Sequence, residues 1–177
     1  MPDSLLNAAA IARALTRIAH EIAERNVHPT DVLLVGVQTG GIHIAHRLGR
    51  ILSAIWNQPV TVGSLDVSMH RDDLGQQVAP KVHLTVIPGD ITGKTVVLVD
   101  DVLYSGRTVR AALDALNDFG RPKHIQLAVL VDRGHRELPI KADFVGKNIP
   151  TRRNERVEVS LSEDGGVDCV RLEVNKP

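Results

Sequence analysis

Val96-Val97-Leu98-Val99-Asp100-Asp101-Val102-Leu103-Tyr104-Ser105-Gly106-Arg107-Thr108 decides the fold. Its first part, with Thr95, is an unbroken apolar run too short for a membrane span and bounded by charge, which reads as a strand buried on both faces over 95–100. Two carboxylates close it, a small polar loop follows, and a helix is expected over 107–119, stopped by Gly120 and Pro122. The same grammar recurs on either side. Val32–Gly36 and Ile125–Val131 are further apolar strands, and 60–67 alternates as a strand. Helical spacing appears over 5–25 (Ile11, Leu15, Ile18, Ile22) and over 41–56 (Ala45, Leu48, Leu52, Ile55). Apolar strands alternating with helices predict an α/β fold with a mainly parallel sheet flanked by helices. Three short strands, within 142–146, 156–161 and 167–174, follow. The last two are joined by Glu163-Asp164-Gly165-Gly166, which predicts a C-terminal β-hairpin. No repeat or linker divides the chain, so residues 1–177 are expected to form one domain.

Ligands of such sheets sit beyond the carboxyl ends of the strands. The loop Tyr104–Thr108 opens a helix there, where free backbone N–H groups and the positive dipole end suit a phosphate. Ser105 and Thr108 add hydroxyls, and Gly106 admits close approach of backbone to an anion. Adjacent Asp100 and Asp101 suit the vicinal hydroxyls of a ribose. Neither GxxxxGK[ST] nor GxGxxG is present, which excludes a Walker loop and a dinucleotide fingerprint.

Composition narrows the partners. The 177 residues carry 21 basic and 21 acidic side chains, so non-specific coating of nucleic acid is disfavoured and any RNA role needs a local patch. Aromatics make up only 2%, which argues against base-stacking platforms and predicts an aliphatic core. The single cysteine, Cys169, cannot form an internal disulfide and fits a reducing compartment. No secretion signal or membrane-length apolar run is visible, so a soluble protein is expected. His43 and His46 lie three apart on a helix without a third ligand in suitable spacing, so they read as surface residues.

The stretch VLVDDVLYSGRT resembles the phosphoribosyl pyrophosphate (PRPP) signature of type I phosphoribosyltransferases. Its DDVLY form is similar to the family of bifunctional pyrimidine operon attenuators and uracil phosphoribosyltransferases. The likeness extends to 13–26 (RALTRIAHEIAERN), 71–74 (RDDL), 127–140 (LAVLVDRGHRELPI) and 146–157 (GKNIPTRRNERV). It implies a type I fold with a small hood, and a glycosyl (pentosyl) transfer in which uracil and PRPP give UMP and pyrophosphate with Mg²⁺ carried by PRPP rather than by protein ligands. It also implies a cytoplasmic protein that forms a homodimer or a higher oligomer.

Carried onto these positions, the resemblance implies that Asp100 and Asp101 hold the ribose hydroxyls. Residues Val102 and Leu103 lead into Tyr104, Ser105, Gly106, Arg107 and Thr108, which hold the 5′-phosphate. The turn 37–41, with Thr39 and Gly40, takes the leaving pyrophosphate. The segment of about 70–94 is similar to the flexible loop that closes over the site, with Arg71 as its catalytic cation. Val131, Asp132 and Arg133 lie where the family reads uracil. One departure stands out: the family's Thr-Arg-Gly triplet is Thr39-Gly40-Gly41 here, so an arginine is missing from the pyrophosphate turn.

The resemblance further implies UMP-dependent binding of a pyrimidine-operon mRNA stem-loop, with transcription attenuation as the outcome. The matching positions are Thr16, Arg17, His20, Arg25, His135, Arg136, Lys147 and Thr151. Residues 141–156 hold five basic side chains (Lys141, Lys147, Arg152, Arg153, Arg156) against Asp143 and Glu155, a local positive excess on a neutral chain. Two other readings stay open. Arg17 and Glu21 at i,i+4 spacing can simply pair on a solvated face, and the protein can be a nucleotide sensor with weak turnover or a transferase for a purine base.

Overall fold

The computed structural model describes residues 4–72 and 81–174. Five strands form one wholly parallel sheet in the order β3-β2-β4-β5-β6: β2 (Val32–Val37), β3 (Thr61–Leu65), β4 (Thr95–Leu103), β5 (His124–Asp132) and β6 (Phe144–Asn148). Among the described residues three α-helices accompany them: α1 (Ala8–Arg25), α2 (Gly40–Trp56) and α3 (Arg107–Leu116). A second, antiparallel sheet has the order β1-β8-β7, from β1 (Ser4–Asn7), β7 (Glu155–Ser160) and β8 (Cys169–Val174).

The period-2 geometry of the central strands splits their side chains between two cores. Leu34, Val97, Val99 and Leu130 face α1 and α2, where Ile11, Leu15, Ile18, Ile44 and Leu48 meet them. Leu33, Val35, Val96 and Leu98 face α3, against Val109, Ala112 and Leu116. Because both faces are covered, the strands need to be apolar throughout, which is why they read as continuous runs in the sequence. Val97 and Leu98, neighbours in the chain, are both fully buried, on opposite faces.

The expected hairpin forms: β7 and β8 pair antiparallel from Glu155–Val174 to Ser160–Cys169. The structure differs from the expectation at the N-terminus. The helix begins at Ala8 rather than near residue 5, because Asn7 caps it, its Oδ1 accepting the Ala10 N–H at 2.9 Å. Ser4–Asn7 instead pairs with β8, a partner more than 160 residues away that local pattern does not reveal. Helix α3 likewise ends at Leu116, and Asn117–Phe119 tightens into a 3-10 turn before Gly120.

Arg47 fastens the small sheet to the large one. Its guanidinium pairs with Glu163 and Asp168 in the β7–β8 connection, with Nη2 2.9 Å from Asp168 Oδ1 and 3.1 Å from Ser162 Oγ. Hydrogen bonds from Arg47 hold both carboxyls down at about 2. His43 Nε2 lies 3.0 Å from Asp164 Oδ1 in the same joint. No helix among the described residues is long and apolar enough to cross a membrane.

Candidate functional site

The chain runs outward from β2 to β3 in one direction and from β4 through β5 to β6 in the other. The strand order therefore reverses between β2 and β4, and the crevice at their carboxyl ends is the natural ligand position. The turn at 38–39 and the loop 104–106 flank that crevice, and each opens a helix.

Asp100 is 7% exposed and lies within β4, which runs on to Leu103 rather than stopping at 100 because Val102 and Leu103 still pair with Val131 and Asp132 of β5. Its Oδ1 accepts the Asp101 N–H at 2.9 Å, and Asp101 Oδ1 accepts the Val102 N–H at 2.8 Å. Burial, then the neighbouring Asp101 charge and a hydrogen bond between the two carboxyls, push the Asp100 carboxyl well above the usual range. The charge of Arg71 opposes this.

Beyond the pair, Tyr104–Gly106 turns into α3. Gly106 has φ +92°, the left-handed region that glycine enters without penalty, and as the N-cap residue it makes no side-chain bond to the helix. Ser105 Oγ accepts the Arg107 N–H at 3.4 Å, and the other amides at the start of α3 are placed for an anion. Ser105 O accepts the N–H groups of Glu137 and Leu138 at 2.9 and 3.2 Å, which fixes the loop from behind. A cavity of about 270 Å³ lies here, lined by the loop from Val102 to Val109 together with Arg71, Asp100 and Glu137.

Arg107 is held between two acids that the sequence pattern does not connect with it. Its Nε is 2.7 Å from Glu137 Oε2, and its Nη1 is 2.6 Å from Asp72 Oδ2, which also takes Arg110 at 2.9 Å. These partners come from three separate segments, so no spacing in the sequence announces them. The expected loop at 70–94 is described only outside 73–80. Asp73 and Leu74 of its RDDL stretch lie outside the described residues. Its far part, near Val86, pairs antiparallel with Ser64 of β3.

Across the crevice, Gln38 N–H donates to Leu65 O at 2.9 Å, the Gln38–Thr39 peptide is cis, and Thr39 and Gly40 lead into α2. Gly40 lies directly against the Asp101 carboxylate. The structure thus brings Thr39, Gly40, Asp100, Asp101 and residues 104–108 to one crevice.

The three residues expected at a base divide in role. The Val131 side chain is fully buried in the core between the sheet and α1–α2, so only its backbone reaches the strand end. Asp132 accepts the Gly134 N–H at 3.0 Å and pairs with Arg136. Arg133 is 7% exposed. Its Nε donates to Thr151 Oγ1 at 3.1 Å and its Nη2 to Arg152 O at 3.3 Å, while the guanidinium covers the Tyr104 ring. A cleft of about 560 Å³ is bordered by 132–136 and 148–151.

The residues expected at an RNA surface also divide. Thr16, Arg17, His20 and Arg25 lie on the exposed side of α1, with Lys147 exposed on the β6 strand that α1 packs against. Arg17 does pair with Glu21, at 2.8 Å, and its Nη2 also donates to Val145 O and Gly146 O at 3.1 and 2.6 Å. Arg25 pairs with Asp143 at 2.8 Å. His135 and Thr151 are joined by a hydrogen bond from the His135 ring to Thr151 O. Arg136 is turned inward, donating to Ile140 O and Tyr104 O at 2.9 and 2.8 Å besides Asp132.

The sequence matches the family of the phosphoribosyl transferase domain over residues 2–164. It is 63% identical to the Bifunctional protein PyrR of Roseiflexus sp. (strain RS-1), over 94% of this chain and 92% of that one. It is 58% identical to the Bifunctional protein PyrR of Thermus aquaticus, over 95% and 93%. Among solved structures, the hypoxanthine-guanine phosphoribosyltransferase (hpt-2) of Bacillus anthracis superposes with a TM-score of 0.73, covering 97% of both chains at 19% identity, a likeness of fold alone. With a family match across most of its length and such identity to these relatives, the chain belongs to the phosphoribosyl transferase domain family, among the proteins named Bifunctional protein PyrR.

Proposed function

We propose that this protein transfers phosphoribose from PRPP to uracil, giving UMP and pyrophosphate, and that it binds a pyrimidine-operon mRNA stem-loop in response to UMP. The observation that carries the reading is that Asp100 lines the cavity at Tyr104–Thr108 while its neighbour Asp101 meets the second helix-opening turn at Thr39–Gly40. Ribose acceptors, a 5′-phosphate cradle and a pyrophosphate turn are what a PRPP-dependent transfer needs in one crevice. The name of the relatives, bifunctional, supports a second role alongside the transfer.

In this reading the chain positions rather than attacks. The amides of α3 and the Ser105 and Thr108 hydroxyls hold the 5′-phosphate. Asp100 and Asp101 accept the ribose hydroxyls, which fixes C1 between leaving group and base. Arg71 faces the acids and offsets charge that develops on the departing pyrophosphate. Backbone atoms at Val131 and the Asp132–Arg133 turn face the base. Mg²⁺ would be carried by PRPP rather than held by protein ligands, and would supply further neutralisation of the leaving group beside the Asp100–Asp101 carboxyls.

The test is UMP formation from uracil, PRPP and Mg²⁺, with the Asp100→Asn, Asp101→Asn double variant as control. Turnover lost in the variant supports the transfer. Guanine or hypoxanthine outcompeting uracil in a base panel overturns the choice of base. The nucleotide-sensing alternative with weak turnover is favoured by one observation, the contact of Asp101 with Gly40 in the pyrophosphate turn. Oligomer formation is proposed too, and sedimentation would measure it.

A further inference from the structure

Position 40 is where the chain departs from the family it resembles, and the geometry there is specific. A β-carbon built on Gly40 falls 2.2 Å from Asp101 Oδ2, 2.5 Å from Asp101 Cγ and 3.1 Å from Asp101 Cβ. All three nearest atoms belong to that one side chain, and Gly40 has no positive φ. The Asp101 carboxylate therefore fills the volume that any other residue's side chain would take. Its second oxygen accepts the Val102 N–H at 2.8 Å, which fixes the side chain in that orientation.

Two differences in charge follow at one subsite. The guanidinium that the resemblance leads one to expect is absent, and a carboxylate stands over the turn. The turn opens α2, whose N-terminal amides are not capped by a side chain. A carboxylate beside that end is attracted by the same dipole and amides that a pyrophosphate oxygen needs. A nucleoside monophosphate carries its base on the opposite face of C1 and no pyrophosphate, so it makes no demand on the volume over Gly40. PRPP does.

We propose that Gly40 admits Asp101 as an internal competitor for the pyrophosphate group, so that the site favours UMP over PRPP. This rests on reading the crevice as a phosphoribosyltransferase site. Asp101 lies against the turn, and the apparent affinity for PRPP is lowered because its pyrophosphate has to displace that carboxylate. The selectivity comes from a side chain that position 40 lacks.

Gly40→Ala tests it, because the added methyl asks only Asp101 to move and alanine suits the first turn of a helix. Calorimetric titration would compare PRPP and UMP binding to the wild type, Gly40→Ala, Asp101→Ala and the double variant, each shown folded by circular dichroism. The expected result is a shift of the affinity ratio toward PRPP by about three- to tenfold in Gly40→Ala, absent when Asp101 is already alanine. An unmoved ratio, a shift toward UMP, or an equal gain in the Asp101→Ala background overturns the inference. A wild-type protein that binds neither ligand sinks the reading of the crevice itself, and the inference with it. That result differs from both ligands binding with the ratio unmoved.

Discussion

The Arg133 guanidinium lies 4.1 Å from the centroid of the Tyr104 ring. One residue belongs to the loop that opens α3 and the other to the turn after β5, which also grips Thr151 and the Arg152 carbonyl. Tyr104 meets His135 edge-on as well, at 6.3 Å between ring centroids. The loop that opens α3 and the 149–152 segment are thus joined through one buried cation. Replacing Arg133 by Leu leaves the Thr151 hydroxyl and the Arg152 carbonyl without these donors and removes the cation–π contact, at a cost of about 2 kcal/mol. Chemical denaturation would show the loss. Tyr104→Phe keeps the ring and should retain nearly all the stability, whereas Tyr104→Leu should not.

Arg47 is expected to govern the acid limb of stability. Glu163 and Asp168 are held at about 2 by its hydrogen bonds, below their unfolded values. Their contribution is therefore present above the unfolded carboxylate range and is lost as pH falls from there through about 2. Arg47→Met should lower stability at pH 7 by about 1–2 kcal/mol, discounted for partial solvent screening. It should also flatten the pH dependence between the two limits. Urea titrations at pH 3 and pH 7 measure both effects.

Asp100 carries the opposite sign. Burial and Asp101 raise its folded pKa, so its stabilising contribution is full below the unfolded value and is lost as pH rises through the raised one. Asp100→Asn removes the cost of a buried charge. The variant should melt higher than the wild type in the absence of ligands, with the difference growing on the alkaline side. Turnover should fall by roughly tenfold or more. Thermal melts across pH, paired with the UMP assay, separate the two consequences.

Lys147 gives the clearest probe of RNA binding. It is exposed, whereas Arg17 and Arg25 also hold α1 to the segment 143–146 through the Val145 and Gly146 carbonyls and Asp143. Lys147→Ala should leave the melting temperature unchanged. It should weaken binding of the stem-loop and reduce the slope of log affinity against log salt by about 0.7–0.9, one phosphate contact. A filter-binding salt series reads the slope directly. An unchanged slope would place Lys147 off the RNA path.

The apolar runs at Val32–Val35, Val96–Val99 and Leu127–Val131 determined the parallel sheet from sequence alone, because strands covered on both faces tolerate no polar interruption. Asp100-Asp101 and Tyr104–Thr108 were legible for the same local reason: strand end, loop and helix start lie within one short stretch. The relations that act across the sequence were decided only by the tertiary structure. Ser4–Asn7 becomes a strand because β8 offers it an edge. Arg47 meets acids 116 and 121 residues away. Arg107 is shared between Asp72 and Glu137, and Asp101 fills the volume that a side chain at position 40 would take. Periodicity encodes which way a side chain faces, and a loop's composition encodes the backbone it can adopt. Neither encodes which distant side chain fills the space opposite, since that depends on how the sheet brings its strand ends together.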